Sequence, residues 1–133
     1  MKLTCIFCDY TAIPEQKIIF ENDWCVFLQM PQDILEGSGV IIPKAHKETV
    51  FDLSEAEWKA TYTLLEKVKP YLDSHFLPAG YSVGWNCYQV GGQSIPHAHL
   101  HVIPRYADEP FAGKGIRNWF KNEANRRPGQ RAY

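Results

Sequence analysis

The run His97-Ala98-His99-Leu100-His101-Val102-Ile103 holds three of the chain's five histidines, each separated from the next by one apolar residue. Side chains on a strand alternate between its faces, so Ala98, Leu100 and Val102 can enter a core while His97, His99 and His101 line up opposite. Imidazolium groups one strand step apart repel, and the three are expected to titrate as a coupled set, largely neutral at pH 7. A neutral imidazole serves as nucleophile, proton carrier or metal ligand. The middle residue, His99, is best placed to attack, because its neighbours can hold one ring nitrogen protonated and leave the other lone pair free. Just upstream, Gly91-Gly92-Gln93-Ser94 is a polar turn. Glycine lets backbone approach a ligand, and the Gln93 amide and Ser94 hydroxyl can donate to phosphate oxygens or a leaving group. Asn86, closing the preceding strand, adds a further donor. His-x-His on a strand also holds metals in zinc hydrolases and non-haem iron sites, so a metal-dependent hydrolase using the row as ligands stays open on the residues alone.

Four cysteines complete the chemical inventory. Cys25 and Cys87 fall within apolar strands and read as small buried residues. Cys5 and Cys8 form a C-x-x-C pair that can grip one ion. A closed structural zinc site takes four ligands, and His46, behind Pro43-Lys44, and His97 are the natural partners. The competing reading is a pair of unliganded thiols. A redox C-x-x-C is disfavoured because no βαβ pattern follows it.

These residues need a scaffold. Lys17–Phe20 and Trp24–Leu28 read as strands joined by the polar turn Glu21-Asn22-Asp23, and Gly39–Ile42 as a third strand closed by Pro43. Ser54 followed by Glu57 is a capping box, opening a helix whose apolar face is Trp58, Tyr62, Leu65, Val68 and Leu72. Pro70 should kink that helix or end it at Lys69. Tyr81–Asn86 reads as a strand leading to the histidine row. Ile116, Trp119 and Phe120 sit at helical spacing in a tail flanked by Gly113, Gly115 and Pro128. Antiparallel strands with one or two helices on one side describe an α+β sandwich.

The chain has 133 residues, enough for one domain and too few for two. Hydrophobic residues at 45% and charged residues at 22% exclude disordered and collagen-like chains. A mean hydropathy of -0.32 and short apolar runs offer no membrane span, no export signal is visible, and the expected address is the cytoplasm. Net charge is -1, which argues against nucleic acid as a partner. Residues 105–133 nevertheless carry seven Lys or Arg against three acids, a basic end able to attract a phosphate-bearing ligand.

The stretch from Gly91 to Ile103 resembles the signature of the histidine-triad (HIT) superfamily, His-φ-His-φ-His-φ-φ with φ apolar. The likeness extends to Cys5-Ile6-Phe7-Cys8, to Val40-Ile41-Ile42-Pro43-Lys44 with His46 close behind, and to Tyr81-Ser82-Val83-Gly84-Trp85-Asn86. It covers roughly residues 5 to 106 in the family's order. The resemblance implies an α+β, HIT-like antiparallel sheet of about five strands with one long helix and shorter ones, homodimeric. Residues 1–133 would form a single HIT domain with a basic extension from about 107.

The resemblance also implies an activity: a nucleotide hydrolase working at the α-phosphorus of adenosine-type conjugates, either nucleoside phosphoramidates or dinucleoside polyphosphates such as diadenosine tetraphosphate. By position, His99 would form a nucleotidyl-histidine intermediate and His101 would orient it and contact phosphate. Ser94 and Gln93 would bind phosphate and help the leaving group depart, and Asn86 would add a phosphate contact. Zinc on Cys5, Cys8, His46 and His97 matches bacterial members, with no organic cofactor. Ribose contact falls to Gln29, with Asp33 as second choice. One departure stands out: Gly37-Ser38 occupies the place of the usual Gly-His. That loss keeps open a catalytically weak nucleotide-binding regulatory module.

Overall fold

The computed structural model describes residues 5–129, so Arg131 of the basic tail lies outside them. Five strands form one antiparallel sheet: β1 (Lys17–Glu21), β2 (Cys25–Gln29), β3 (Gly39–Pro43), β4 (Gly80–Trp85) and β5 (Leu100–Arg105). Their order across the sheet is β1-β2-β3-β5-β4, which leaves β4 on a free edge. The β1–β2 hairpin turns at Asn22, whose Oδ1 accepts the backbone N–H groups of Trp24 and Cys25 at 3.0 and 2.8 Å, an Asx turn.

Alternation sorts the strands into two faces. Cys25, Phe27, Ile41, Leu100 and Val102 pack against Ala60, Leu64, Val68 and Leu72 of the long helix α1 (Glu55–Phe76). Val26, Leu28 and Ile42 face the other way, onto Phe7 of the N-terminal segment. The helix therefore covers one face and leaves the other for chemistry.

The expected capping box opens α1. Ser54 Oγ accepts the Glu57 N–H at 3.2 Å, and Glu57 Oε1 accepts the Ser54 N–H at 2.8 Å. Glu57 is only 2% exposed and is paired with Lys47 at 3.1 Å. Burial pushes its carboxyl up, but the Ser54 N–H and Lys47 together outweigh burial and hold it below the usual glutamate value.

The structure corrects three expectations and removes one of the two outcomes expected at Pro70. Pro70 does not end the helix, which runs on to Phe76. A mid-helix proline costs about 3 kcal/mol, and Val68 and Leu72, both fully buried on either side of it, hold the helix through the break. Trp58 and Tyr62 do not face the core; they are 49% and 60% exposed, and Ala60 and Leu64 take the inward positions. Cys87 lies in the turn after β4, half-buried, and not in a strand. The histidine row is also not wholly a strand, for β5 begins at Leu100. Continuing the β3–β5 register would set Ala98 opposite Pro43, which has no N–H for a ladder. Ala98 instead donates its N–H to the Lys47 carbonyl at 2.7 Å. In the tail, the spacing of Ile116, Trp119 and Phe120 does produce a short helix, α2 (Ile116–Phe120). Among the described residues no helix is long and apolar enough to cross a membrane.

Candidate active site

The segment Pro43–Glu48, emerging from β3, supports the histidine row with three backbone carbonyls. Pro43 O meets His97 Nε2 at 2.8 Å, Lys47 O takes the Ala98 N–H, and Glu48 O takes Gln93 Nε2 at 2.6 Å. A carbonyl only accepts, so His97 Nε2 carries its hydrogen and its Nδ1 presents a lone pair. That Nδ1 lies 3.4 Å from Cys5 Sγ and 3.6 Å from Cys8 Sγ, and His46 Nδ1 lies 3.1 Å from Cys8 Sγ. All four ligand atoms fall within 4.8 Å of one another. Around an ion with bonds of ~2.0–2.3 Å, tetrahedral ligands stand roughly 3.6 Å apart, so the donors already have the spacing of a closed four-ligand site. The carbonyl behind His97 is the support that a metal-bound imidazole normally has.

His99 has the opposite arrangement. Its Nδ1 lies 2.8 Å from the carbonyl of His97, which fixes the hydrogen on Nδ1 and leaves Nε2 as the bare nitrogen of the neutral ring. The ring is 5% exposed, held edge-on between Phe7 at 5.1 Å and His101 at 4.8 Å. Burial, and secondarily His99 beside it, push the pKa of His101 below the usual histidine value. The neutral form of His101 is thereby favoured, by burial first and by the crowding of the row second.

The turn ahead of the row is built for close approach. Gly92 has a φ of +96°, a left-handed backbone that favours glycine, and the Asn86 amide lies beside it, 3.6–3.8 Å from where a Cβ would stand. Asn86 is exposed and borders a cleft with His101. Ser94 is exposed in the same turn. Gln93 is buried and works differently from expectation. Its Oε1 accepts the Tyr88 N–H at 2.7 Å while Nε2 donates to Glu48 O, so the amide clamps the turn to the Pro43–Glu48 segment.

Two clefts meet at His101. One, of about 390 Å³, is walled by Phe7, Leu28 and Val40, with Gln16, Gln32 and Ser38 as its polar groups. The other, of about 440 Å³, runs past Asn86 and Trp85 beneath the tail. Gln29 reaches neither. It belongs to the helix-facing set of β2, where its Nε2 donates to Gly37 O at 2.9 Å and its Oε1 accepts from Tyr71 at 3.1 Å. The expectation of Gln29 as a substrate contact is therefore corrected by the alternation of its own strand. Asp33 is exposed, and its neighbour Gln32 borders the cleft instead. Gln16, Gln32 and Phe7 were not singled out from sequence. Phe7 could have been, since an aromatic inside C-x-x-C must go wherever the thiols go.

Comparison with known proteins agrees with this architecture. The HIT domain profile matches residues 11–108. The protein named "Protein hit" from Bacillus subtilis is 33% identical over 104 residues, covering 77% of this chain and 71% of that protein. A bis(5'-adenosyl)-triphosphatase from Dictyostelium discoideum is 25% identical over 93 residues, covering 70% and 62% of the two chains. The crystal structure of a Zn-bound histidine triad family protein from Mycobacterium smegmatis superimposes with a TM-score of 0.70 at 20% identity, over 84% of this chain and 82% of that one. With the triad, the sheet and the family profile in agreement, the chain belongs to the HIT domain family.

Proposed function

We propose that this protein hydrolyses adenosine-type nucleotide conjugates at the α-phosphorus through a covalent intermediate on His99. The observation that carries the reading is the 2.8 Å contact from His99 Nδ1 to the His97 carbonyl, which in the neutral ring puts the hydrogen on Nδ1 and the lone pair on Nε2. Nε2 attacks phosphorus and forms a P–N bond while the bond to the leaving oxygen or nitrogen breaks, the departing group keeping the electron pair. Water then attacks the same phosphorus. The P–N bond returns its electrons to the ring, the proton of the water is lost to solvent, and the nucleoside monophosphate leaves.

His101, uncharged and edge-on to His99, keeps the attacking ring in place and meets the phosphate. Ser94 and Asn86 donate to oxygens on which charge develops, each well-aimed donor contributing about 3–4 kcal/mol to the barrier reduction. Gln93 holds the turn that carries Ser94. The nucleoside occupies the Phe7–Leu28 cleft, with Gln16, Gln32 and Ser38 available to its hydroxyls. The Dictyostelium relative, named as a dinucleoside triphosphatase, supports the reaction class.

Cys5, Cys8, His46 and His97 form a zinc ligand set of two thiolates and two imidazoles. Bound there, the ion would supply structural stabilisation, tying the N-terminal segment to the first residue of the triad. His97 thereby serves the scaffold while His99 serves the reaction. The free edge of β4 and the exposed Trp58 and Tyr62 beside it suit a second copy of the chain, giving a homodimer.

The test is AMP release from diadenosine tetraphosphate and from adenosine 5′-phosphoramidate. The wild-type protein is expected to turn over at least one of them, and His99→Ala to lose at least ~10³-fold in rate while still binding AMP. A His99→Ala rate within tenfold of wild type would overturn the assignment.

A further inference from the structure

Glu57 is a buried carboxylate that the proposed reaction leaves unused. It sits in the first turn of α1, where its Oε1 accepts the Ser54 N–H at 2.8 Å and the Lys47 ammonium at 3.1 Å. Glutamine closes a capping box as well as glutamate does, so the cap alone requires no charge at this position. A buried charge is unfavourable unless it is paired and hydrogen-bonded, and the partner here is Lys47. Lys47 Nζ also donates to the Asp52 carbonyl at 3.4 Å, so the ammonium ties the Pro43–Glu48 segment to the start of α1.

The main chain of Lys47 faces the histidine row. Its carbonyl accepts the Ala98 N–H at 2.7 Å. That N–H belongs to the same peptide unit as the His97 carbonyl, which lies 2.8 Å from His99 Nδ1. The unit is planar and trans, so its N–H and C=O point in opposite directions, and fixing one aims the other. Donation by the Ala98 N–H also polarises the unit and makes the His97 oxygen a better acceptor. The β3–β5 ladder ends at Leu100, so Lys47 O takes the part that a ladder carbonyl would play two residues further on. A continuous path thus runs from the Glu57 carboxylate through Lys47 and the His97–Ala98 peptide to the ring of His99.

We propose that Lys47 and Glu57 are positioning residues for the reaction: the carboxylate holds Lys47, and the Lys47 carbonyl aims the peptide whose oxygen keeps the hydrogen of His99 on Nδ1. The effect on rate rests on His99 being the nucleophile, whereas the effect on its tautomer does not. Neither residue touches substrate, and both act through one peptide unit.

The test uses the full chain with 15N-labelled histidine, in which protonated and bare ring nitrogens resonate apart and His99 is assigned by the loss of its signals in His99→Ala. Wild-type His99 is expected in the Nδ1–H form. The deciding variant combines Lys47→Met with Glu57→Gln, which removes the ion pair, leaves no unpaired buried charge and keeps the cap. It should populate the Nε2–H form of His99 and lower kcat roughly fivefold or more while KM stays within about twofold, measured with diadenosine tetraphosphate or adenosine 5′-phosphoramidate. Glu57→Gln alone should shift both readouts in the same direction by less, and Lys47→Arg, which keeps a cation against Glu57, should lose less than Lys47→Met. In the His99→Ala background the combined change should lower the residual rate no further, because the effect passes through the ring. A fall in thermal midpoint with the His99 tautomer and kcat unchanged in the folded protein would mark a merely structural ion pair and overturn the proposal. A tautomer that moves with the combined change, in a protein whose wild type releases no AMP, would defeat the His99 nucleophile and leave the positioning assignment standing.

Discussion

His97 and His99 are two residues apart and have opposite tautomers, each imposed by a backbone carbonyl. Pro43 O holds the hydrogen of His97 on Nε2 and turns its Nδ1 to the thiols, whereas His97 O holds the hydrogen of His99 on Nδ1 and bares its Nε2. Under the proposed function, that difference is what would make one of two identical side chains a ligand and the other a nucleophile. The gathering of His97 with Cys5, Cys8 and His46 was legible from the triad pattern together with C-x-x-C. The carbonyls that set the two tautomers were not, because a backbone acceptor leaves no trace in residue identity. The amide of Gln93 shows the same limit: the sequence shows a donor near phosphate, while the fold uses that donor on Glu48 O. Cys5→Ser tests the ligand half of the division. Metal content is expected to fall from about one ion per chain, and the thermal midpoint by ~5–10 °C, as a loss of ~2 kcal/mol does in a domain of this size. The turnover rate at a temperature where both proteins are folded should change far less than in His99→Ala. Equal midpoints for the variant and the wild-type protein, with and without chelator, would remove the structural ion from the account.

Among the elements, β2 and β4 show what periodicity does and does not reveal. The existence of every strand could be read from apolar runs and turn residues, within a residue or two at each end except at β5, which starts three residues after the first histidine of the row. The facing of Gln29 could not be used correctly without knowing which side of β2 the helix covers. Once Phe27 is known to pack on α1, Gln29 two positions on must do so as well. In α1 the apolar spacing placed Trp58 and Tyr62 on the inner face, although the core takes Ala60 and Leu64. The two aromatics border the β4 edge, where Trp58 stacks edge-on with Trp85 at 6.1 Å and a cleft of about 530 Å³ opens between Tyr62, Lys69, Tyr81 and Val83. An antiparallel edge strand flanked by exposed rings is the surface a two-fold partner would cover. Light scattering on the purified protein should return twice the 15.3 kDa chain mass, and Val83→Arg, which puts a charge on that face, should return a single chain. A wild-type monomer at micromolar concentration would contradict the edge-strand dimer.

At the scale of the whole molecule, one sheet separates packing from chemistry. Helix α1 buries one face. On the other face the N-terminal segment brings Phe7 and the thiols to the triad from one side, and the segment after β5, held by Arg105 at the Phe111 and Lys114 carbonyls, borders the cleft at His101 from the other. The α+β layering was readable from the order of strands and helix signals. The course of the segment after β5 was not, since its five-residue helix is preceded by glycines and its position depends on Arg105 reaching carbonyls at Phe111 and Lys114. The proposed function turns on one nitrogen of that row, Nε2 of His99. The decisive measurement is a rapid acid-free quench of wild-type protein during turnover of diadenosine tetraphosphate, followed by peptide mapping by mass spectrometry. The account predicts an AMP group on the peptide containing His97–His101, localised to His99 and absent from His99→Ala. An adduct on Ser94, on a cysteine or on His101, or turnover with no protein-bound AMP on the timescale of a single cycle, would contradict it.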